Sequence, residues 1–366
     1  VEKAKISAYQ LFVLIVLFEV GSTLLIPLAL DAKQDAWLTI LLGMVGGFFL
    51  FLVNFRLFHY YPDILPTEYM QKIVGKSFGK FLAFLYILYF MYMAAKVVRD
   101  FGEMLITSTY PQTPLFIIIA LFLVVIIYTI RKGIEVVART GELLFLILLL
   151  LGISGTILIA ISGIVDLKNL LPVLEEGIMP VLKTTFTQTL YIPFGEAVVF
   201  SMILPYLNQS KKGKRIGVYA LGFSGLALTL VVAINISVLG VNLTARSQFP
   251  LLSTIQTIQI DEFLERLDVY FMLTLILGGF FKISLYFYVA VAGIANLFNF
   301  KEPSRLVYPM GIVILILSIT IASNYAEHIS EGTRFISLRI FLPFQVIIPV
   351  SLLIIAFFKH RKKRGK

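Results

Sequence analysis

Apolar runs of about twenty residues, the length a helix needs to cross a bilayer core, follow one another along nearly the whole chain. They lie near 8–30, 36–58, 80–105, 114–131, 138–163, 184–207, 215–241, 268–298, 307–324 and 337–358. Charged residues gather in the short polar stretches between them. The pattern predicts an all-α integral membrane protein of about ten transmembrane helices, a single polytopic domain over 1–366 with no separate soluble part. Residues 61–79 leave room for a short amphipathic helix after Pro66. Leu243 to Leu267 forms a longer connection that is charged near its end.

Two of these runs carry a break. The sixth contains "TLYIPFGEAVVF", Thr189 to Phe200, with Pro193, Gly195 and Glu196 within four residues. Proline removes a backbone donor and clashes with the preceding turn, and glycine supports a helix poorly. In hydrocarbon the freed carbonyls need partners, so such a break survives only against protein or a polar cavity. The first run has a similar interruption, "FEVGSTLLIP", with Glu19, Gly21, Ser22 and Thr23. The two breaks open the two halves of the chain, five runs each, in opposite directions. This predicts a five-plus-five inverted repeat, 1–163 and 184–358, followed by a basic tail at 359–366. Transporters built on that plan bind substrate between paired broken helices near the midplane. A proline kink used only for packing is the simpler alternative, but it leaves the buried acid and the mirrored break unaccounted for.

Composition agrees with the pattern. The chain is 59% hydrophobic with 14% charged residues and a mean hydropathy of +0.93. A soluble protein could not cover that much apolar surface. The net charge of +10 is spread over short loops rather than one face, which argues against nucleic-acid binding. Of 31 lysines and arginines, 21 fall at Lys3 and Lys5, Arg56 to Lys80, Arg131 to Arg139, Lys211 to Arg215, Lys301 and Arg305, and the tail KHRKKRGK. The positive-inside rule therefore puts both termini in the cytoplasm. The first run follows two lysines but is too long for a signal-peptide core. Cysteine is absent, and His59, His328 and His360 stand far apart. Neither a metal cluster nor a nucleophile–base constellation is visible, so no cofactor and no enzymatic activity are expected.

The segment "YIPFGEAVVFSMILPYL", Tyr191 to Leu207, resembles the spore germination permeases, the GerAB-type B subunits of nutrient germinant receptors. "YQLFVLIVLFEVGSTLLIPLAL" resembles the same family's first helix, and length, span number and loop charge agree across the chain. The resemblance implies a LeuT-like fold of the amino acid–polyamine–organocation superfamily. It also implies residence in the spore inner membrane, and partnership with a receptor A subunit and a C-subunit lipoprotein.

In that fold the first, third, sixth and eighth spans surround the ligand. Carried over, Gly21, Ser22 and Thr23 would receive a carboxylate, with Tyr191, Pro193, Phe194, Gly195 and Glu196 opposite. The third span would supply Tyr89, Tyr92, Met93, Lys96 and Val97, although a tyrosine stripe in a membrane helix also serves packing. Lys96, Arg99, Asp100 and Glu103 read as that helix's solvated outer end. In the eighth span, Gly278 and Gly279 permit close helix approach. Ser284 and Tyr288 share a face, for a ligand or for interhelical hydrogen bonds. Lys282 and Glu196 lie at similar depth, ~20 Å from the outer side at ~1.5 Å per residue. A lone charge there costs about 3 kcal/mol or more. Lys282 is therefore expected to pair with Glu196 or Glu19, as a switch or as a fixed bridge. The leading expectation is a germinant-sensing subunit that binds a small amino acid or similar metabolite. A proton- or sodium-coupled amino acid transporter and a ligand-opened conduit are the alternatives.

Overall fold

The computed structural model describes residues 5–258, 267–322 and 337–364. Lys3, His328, the charged stretch 259–266, the end of the ninth expected span (323–324) and the last two residues lie outside them. Helix α1 covers Ala8–Val20. It starts with a reciprocal cap in which Gln10 N donates to Ser7 Oγ at 3.0 Å and Ser7 N donates to Gln10 Oε1 at 2.8 Å, satisfying backbone donors that a helix start leaves orphaned. The helix stops at Gly21, whose φ of −23° and ψ of −105° are not helical, and a 3-10 turn follows at Ser22–Leu24. The outer half of the first expected span is thus not regular α-helix. Pro27 cannot donate to a ladder, and Ala29 is left-handed at φ 64°.

The chain continues through α2 (Ala36–Tyr60), α3 (Pro66–Val74), α4 (Lys76–Ser108), α5 (Leu115–Arg131) and α6 (Ile134–Ile161). Helix α3 is the short element expected after Pro66, with the proline in its first turn. The sixth segment begins as α7 (Ile178–Thr184), loosens into a π turn at Thr185–Thr189, and resumes after Pro193 as 3-10 helix at Phe194–Met202 and Leu204–Tyr206. Helix α8 (Ser210–Arg246) kinks at Gly240, φ 72°, next to the expected end of the seventh span. Then come α9 (Pro250–Gln256), α10 (Asp268–Leu297) and α11 (Pro303–Thr320). The tenth segment is a π stretch, Ser337–Ile347, leading into α12 (Ile348–Arg364).

Seven helical stretches are long and apolar enough to span a membrane, and Ala8–Leu24 and α5 are shorter apolar helices. With the irregular sixth segment they make ten crossings among the described residues. Helices α4 and α10 form the centre: their apolar windows are 72% and 83% buried, against 11% for α6. The outer helices turn bulky side chains such as Phe49, Leu121, Leu143 and Ile161 outward, where lipid rather than water is the matching solvent.

Two contacts hold the broken segments. Helix α2 offers Gly43, Gly46 and Gly47 to the sixth segment. A methyl on each would meet Thr189 Oγ1 at 2.7 Å, Leu190 Cδ1 at 2.5 Å and Phe194 Cβ at 2.6 Å. Without side chains on that face, the irregular backbone lies directly on α2, and Thr189 Oγ1 donates to Thr39 O at 2.7 Å. At the other end, Ile6 pairs with the close of the sixth segment. Ile6 N donates to Tyr206 O at 2.9 Å and Asn208 N donates to Ile6 O at 3.0 Å. This is the single parallel bridge among the described residues.

Candidate functional site

The two breaks meet in the middle of the protein. Glu19, one residue before the end of α1, is 0% exposed, Glu196 in the resumed sixth segment 2%, and Lys282 in α10 1%. Lys282 Nζ forms an ion pair with Glu196 Oε2 and lies 5.1 Å from the centre of the Phe18 ring, so the ammonium has a carboxylate on one side and an aromatic face on another. Glu19 lies within electrostatic reach of both members of the pair. Neither of its carboxylate oxygens has a hydrogen-bond partner. The site therefore holds two acids and one base, and one acid is unsatisfied. Buried carboxylates are normally paired or hydrogen-bonded.

An aromatic wall surrounds these groups. Phe18 meets Phe200 edge-on at 5.3 Å and Tyr286 at 5.0 Å. From α4, Tyr89 stacks on Phe344 of the tenth segment at 4.9 Å and 3°. Gln345 Nε2 donates to the Tyr89 hydroxyl at 2.9 Å, and the Tyr86 hydroxyl donates to Phe344 O at 2.6 Å. Gln345 Oε1 is buried without a partner against Gly195, where any Cβ would collide with it. The tenth segment thus plugs the opening that Gly195 leaves. Of these, Tyr89 is among the candidates read from the third span, whereas Phe18, Tyr86, Tyr286, Phe344 and Gln345 are not. "LPFQ", Leu342 to Gln345, carries the available signal, a proline and an amide inside an apolar run.

The expected residues divide into groups. Glu19, Glu196 and Lys282 come together, and the lysine's direct partner is Glu196. Gly21 is expected to leave backbone open to a ligand. Its N–H donates to Leu17 O at 3.1 Å, and the place of a Cβ is taken by Gly278 O at 2.7 Å. The close approach of α10 expected from Gly278 is made to Gly21 itself. Thr23 Oγ1 donates to Glu19 O at 2.6 Å, tying off one carbonyl freed by the break, and Ser22 is buried beside it. Ser284 is fully buried with its hydroxyl unpartnered. Met93 and Val97 are buried on α4, and Tyr92 is half-buried. Tyr191 is buried, whereas Phe194 packs on Gly47 of α2. Tyr288 sits 6.1 Å from Tyr206, ring to ring. Both line a cavity of about 570 Å³ that also takes in Arg131, Asn296 and Lys301, at the end of α10 away from Lys282.

One expectation is corrected. Lys96, Arg99 and Asp100 are buried rather than solvated. Lys96 Nζ lies 4.0 Å from Asp100, and Arg99 Nη2 lies 2.6 Å from Glu103 Oε1. Arg99 Nη1 donates to Ser318 O and Ile319 O at 3.4 and 3.2 Å. The last carbonyls of α11 need donors, and a cation at a helix C-terminus also meets its dipole favourably. These requirements draw the cluster into the protein.

Buried charges at paired helix breaks, in a ten-crossing bundle, define a membrane protein of the broken-helix transporter fold. Solved structures share that fold. The crystal structure of MhsT in complex with L-phenylalanine superposes with a TM-score of 0.70 at 15% identity, covering 96% of this chain and 88% of that one. The structure of Mhp1, a nucleobase-cation-symport-1 family transporter, in a closed conformation with bromovinylhydantoin bound, gives a TM-score of 0.68 at 12% identity, covering 90% of this chain and 75% of that one. The family model for spore germination protein matches residues 5–326. Spore germination protein KB of Bacillus subtilis (strain 168) is 56% identical over 362 residues, 99% of this chain and 97% of that protein. Spore germination protein YndE of the same organism is 27% identical over 336 residues, 91% and 90% of the two. The chain belongs to the spore germination protein family.

Proposed function

We propose that the chain is the B subunit of a spore nutrient germinant receptor, and that it senses a small germinant carrying an ammonium group, an amino acid above all, at the junction of α1, the sixth segment and α10. Family membership supports the receptor role. The observation that carries the ligand is Glu19: a fully buried carboxylate without a hydrogen-bond partner, beside an ion pair that uses up the one lysine. The arrangement leaves one carboxyl group without a partner. An ammonium arriving there would be held by Glu19 and would compete with Lys282 for Glu196. The phenylalanine bound to MhsT carries such an ammonium, which supports the same ligand class for the shared fold.

In this reading the receptor sits in the spore inner membrane with both termini cytoplasmic, assembled with an A subunit and a C-subunit lipoprotein. Binding is signalled by loss of the Lys282–Glu196 contact, which links α10 to the sixth segment. The test is equilibrium binding of a panel of L-amino acids and sugars to the purified complete receptor, with and without Glu19→Gln. Binding of an amine-bearing compound that Glu19→Gln weakens is the expected result. Binding restricted to sugars, or amine binding indifferent to Glu19, refutes the ligand class. Coupled transport is the second reading, because the fold is that of transporters. Uptake of the bound compound into proteoliposomes would favour it over sensing.

A further inference from the structure

A second cluster of positive charge lies far from the breaks. Where α2 ends and α12 leaves its apolar stretch, Arg56, His59, Tyr60, Phe357, His360 and Arg361 line a cavity of about 390 Å³. Arg56 and His59 are three apart on α2 and so share a face. Neighbouring residues of α12 bring His360 and Arg361 to the same space. The cavity is built rather than incidental. His360 stacks on Tyr60 at 4.6 Å and 18° and meets Tyr61 edge-on at 5.3 Å. The Arg56 guanidinium lies over the Tyr60 ring at 5.0 Å, and Lys359 Nζ donates to Lys72 O at 3.2 Å, tying α12 to α3. Among the described residues, none of Arg56, His59 and Arg361 has a carboxylate partner.

We propose that this cavity binds the phosphate headgroup of an anionic glycerophospholipid. Two guanidiniums and two imidazoles around one space suit a phosphodiester, which takes several charge-assisted hydrogen bonds at once. Position selects the lipid over free phosphate. Phe357 and Phe358, 47% and 58% exposed, precede the basic residues directly, and Tyr60 and Tyr61 end α2 beside them; tyrosines at helix ends are enriched where membrane proteins meet headgroups. Acyl chains would lie along the exposed phenylalanines while the headgroup fills the cavity. Basic pockets between transmembrane helices bind anionic lipids on these principles.

The test uses the full chain in nanodiscs and native mass spectrometry to count retained lipids. In discs mixing phosphatidylglycerol and phosphatidylcholine, the protein should keep phosphatidylglycerol selectively. Arg56→Gln/Arg361→Gln should reduce that selectivity about thirtyfold, taking about 1 kcal/mol per charge and 1.4 kcal/mol per tenfold. Arg56→Lys/Arg361→Lys should restore much of it, which separates charge loss from misfolding. Millimolar inorganic phosphate should fail to displace the lipid. Displacement by phosphate would make the site one for a soluble anion and overturn the lipid assignment. So would equal retention of both lipids, or an equal loss of selectivity on neutralising Lys362 and Lys363 in the tail instead.

Discussion

Gly21 and Gly278 cross with no side chain between them: a Cβ on Gly278 would stand 2.5 Å from Gly21 Cα. The crossing lies where α1 unwinds, so α10 braces the first break by backbone contact. Gly21→Ala and Gly278→Ala should each destabilise the protein by about 1–3 kcal/mol through overpacking, seen as a lower unfolding temperature in detergent. The double variant should cost less than the sum, because the two share one contact. Full stability in either single variant would mean that the crossing is looser than it stands here.

Removing Lys282 leaves Glu196 charged and alone. Lys282→Met should cost about 3–5 kcal/mol, the range for breaking one side of a buried pair, and reduce the amount of protein in the membrane. Adding Glu196→Gln should recover most of that loss. If the pair also transmits the signal, the double variant will be abundant yet respond abnormally to germinant. Normal abundance and normal response in Lys282→Met alone would eliminate both roles.

Glu19→Gln predicts the opposite balance. The carboxylate is unpartnered, so its neutral analogue should fold at least as well. An amine-bearing ligand should bind more weakly by about tenfold or more, since hydrogen bonds to charged groups contribute about 1.5–3 kcal/mol. Thermal unfolding in detergent reads the first effect and titration calorimetry the second, and an unchanged affinity would remove Glu19 from the site.

Gly195 and Gln345 make a second matched pair. Gly195→Ala should push Gln345 from its seat and break its bond to Tyr89, lowering stability by about 1–3 kcal/mol. Gly195→Ala/Gln345→Ala should regain part of the loss by making room. A double variant no better than Gly195→Ala would show that the methyl meets the backbone, at Leu190 O, rather than the amide.

The orientation can be read chemically because the chain has no cysteine. Lys212→Cys, on the exposed start of α8, should resist an impermeant thiol reagent in intact cells and react after permeabilisation. Labelling in intact cells would invert the topology.

The crossings and the two breaks were legible because each leaves a local mark: twenty apolar residues, or a proline and glycine within them. The Lys282–Glu196 pair was half-legible. Equal depth could be counted along two helices, but the choice between Glu19 and Glu196 depends on how the helices are rotated about their axes. That Gly278 crosses at Gly21 was not legible, because a glycine in sequence does not say what fills the space beside it. The burial of Arg99 was hidden for a related reason: besides Glu103 one turn on, its partners Ser318 O and Ile319 O are backbone carbonyls more than two hundred residues away. Gln345 was missed because a single amide in an apolar run carries no periodicity. Its importance comes from Gly195, which the fold brings opposite it.

The pairing of Ile6 with the end of the sixth segment has a consequence for energetics. Two backbone hydrogen bonds contribute about 1 kcal/mol each, and Ile6 is itself fully buried, so separating these ends costs at least the ~2 kcal/mol of the bonds, roughly thirtyfold in population. A ligand whose preference for the separated arrangement exceeds the whole cost, burial of Ile6 included, would make it the majority state. A molecule held closed at one such junction can act as a threshold device, silent at low occupancy and tipped once a ligand's preference exceeds the cost of opening it. Ile6→Pro, which deletes the donor to Tyr206 O, should lower the ligand concentration needed for a response, and a threshold unmoved by that change would place the restraint elsewhere in the fold.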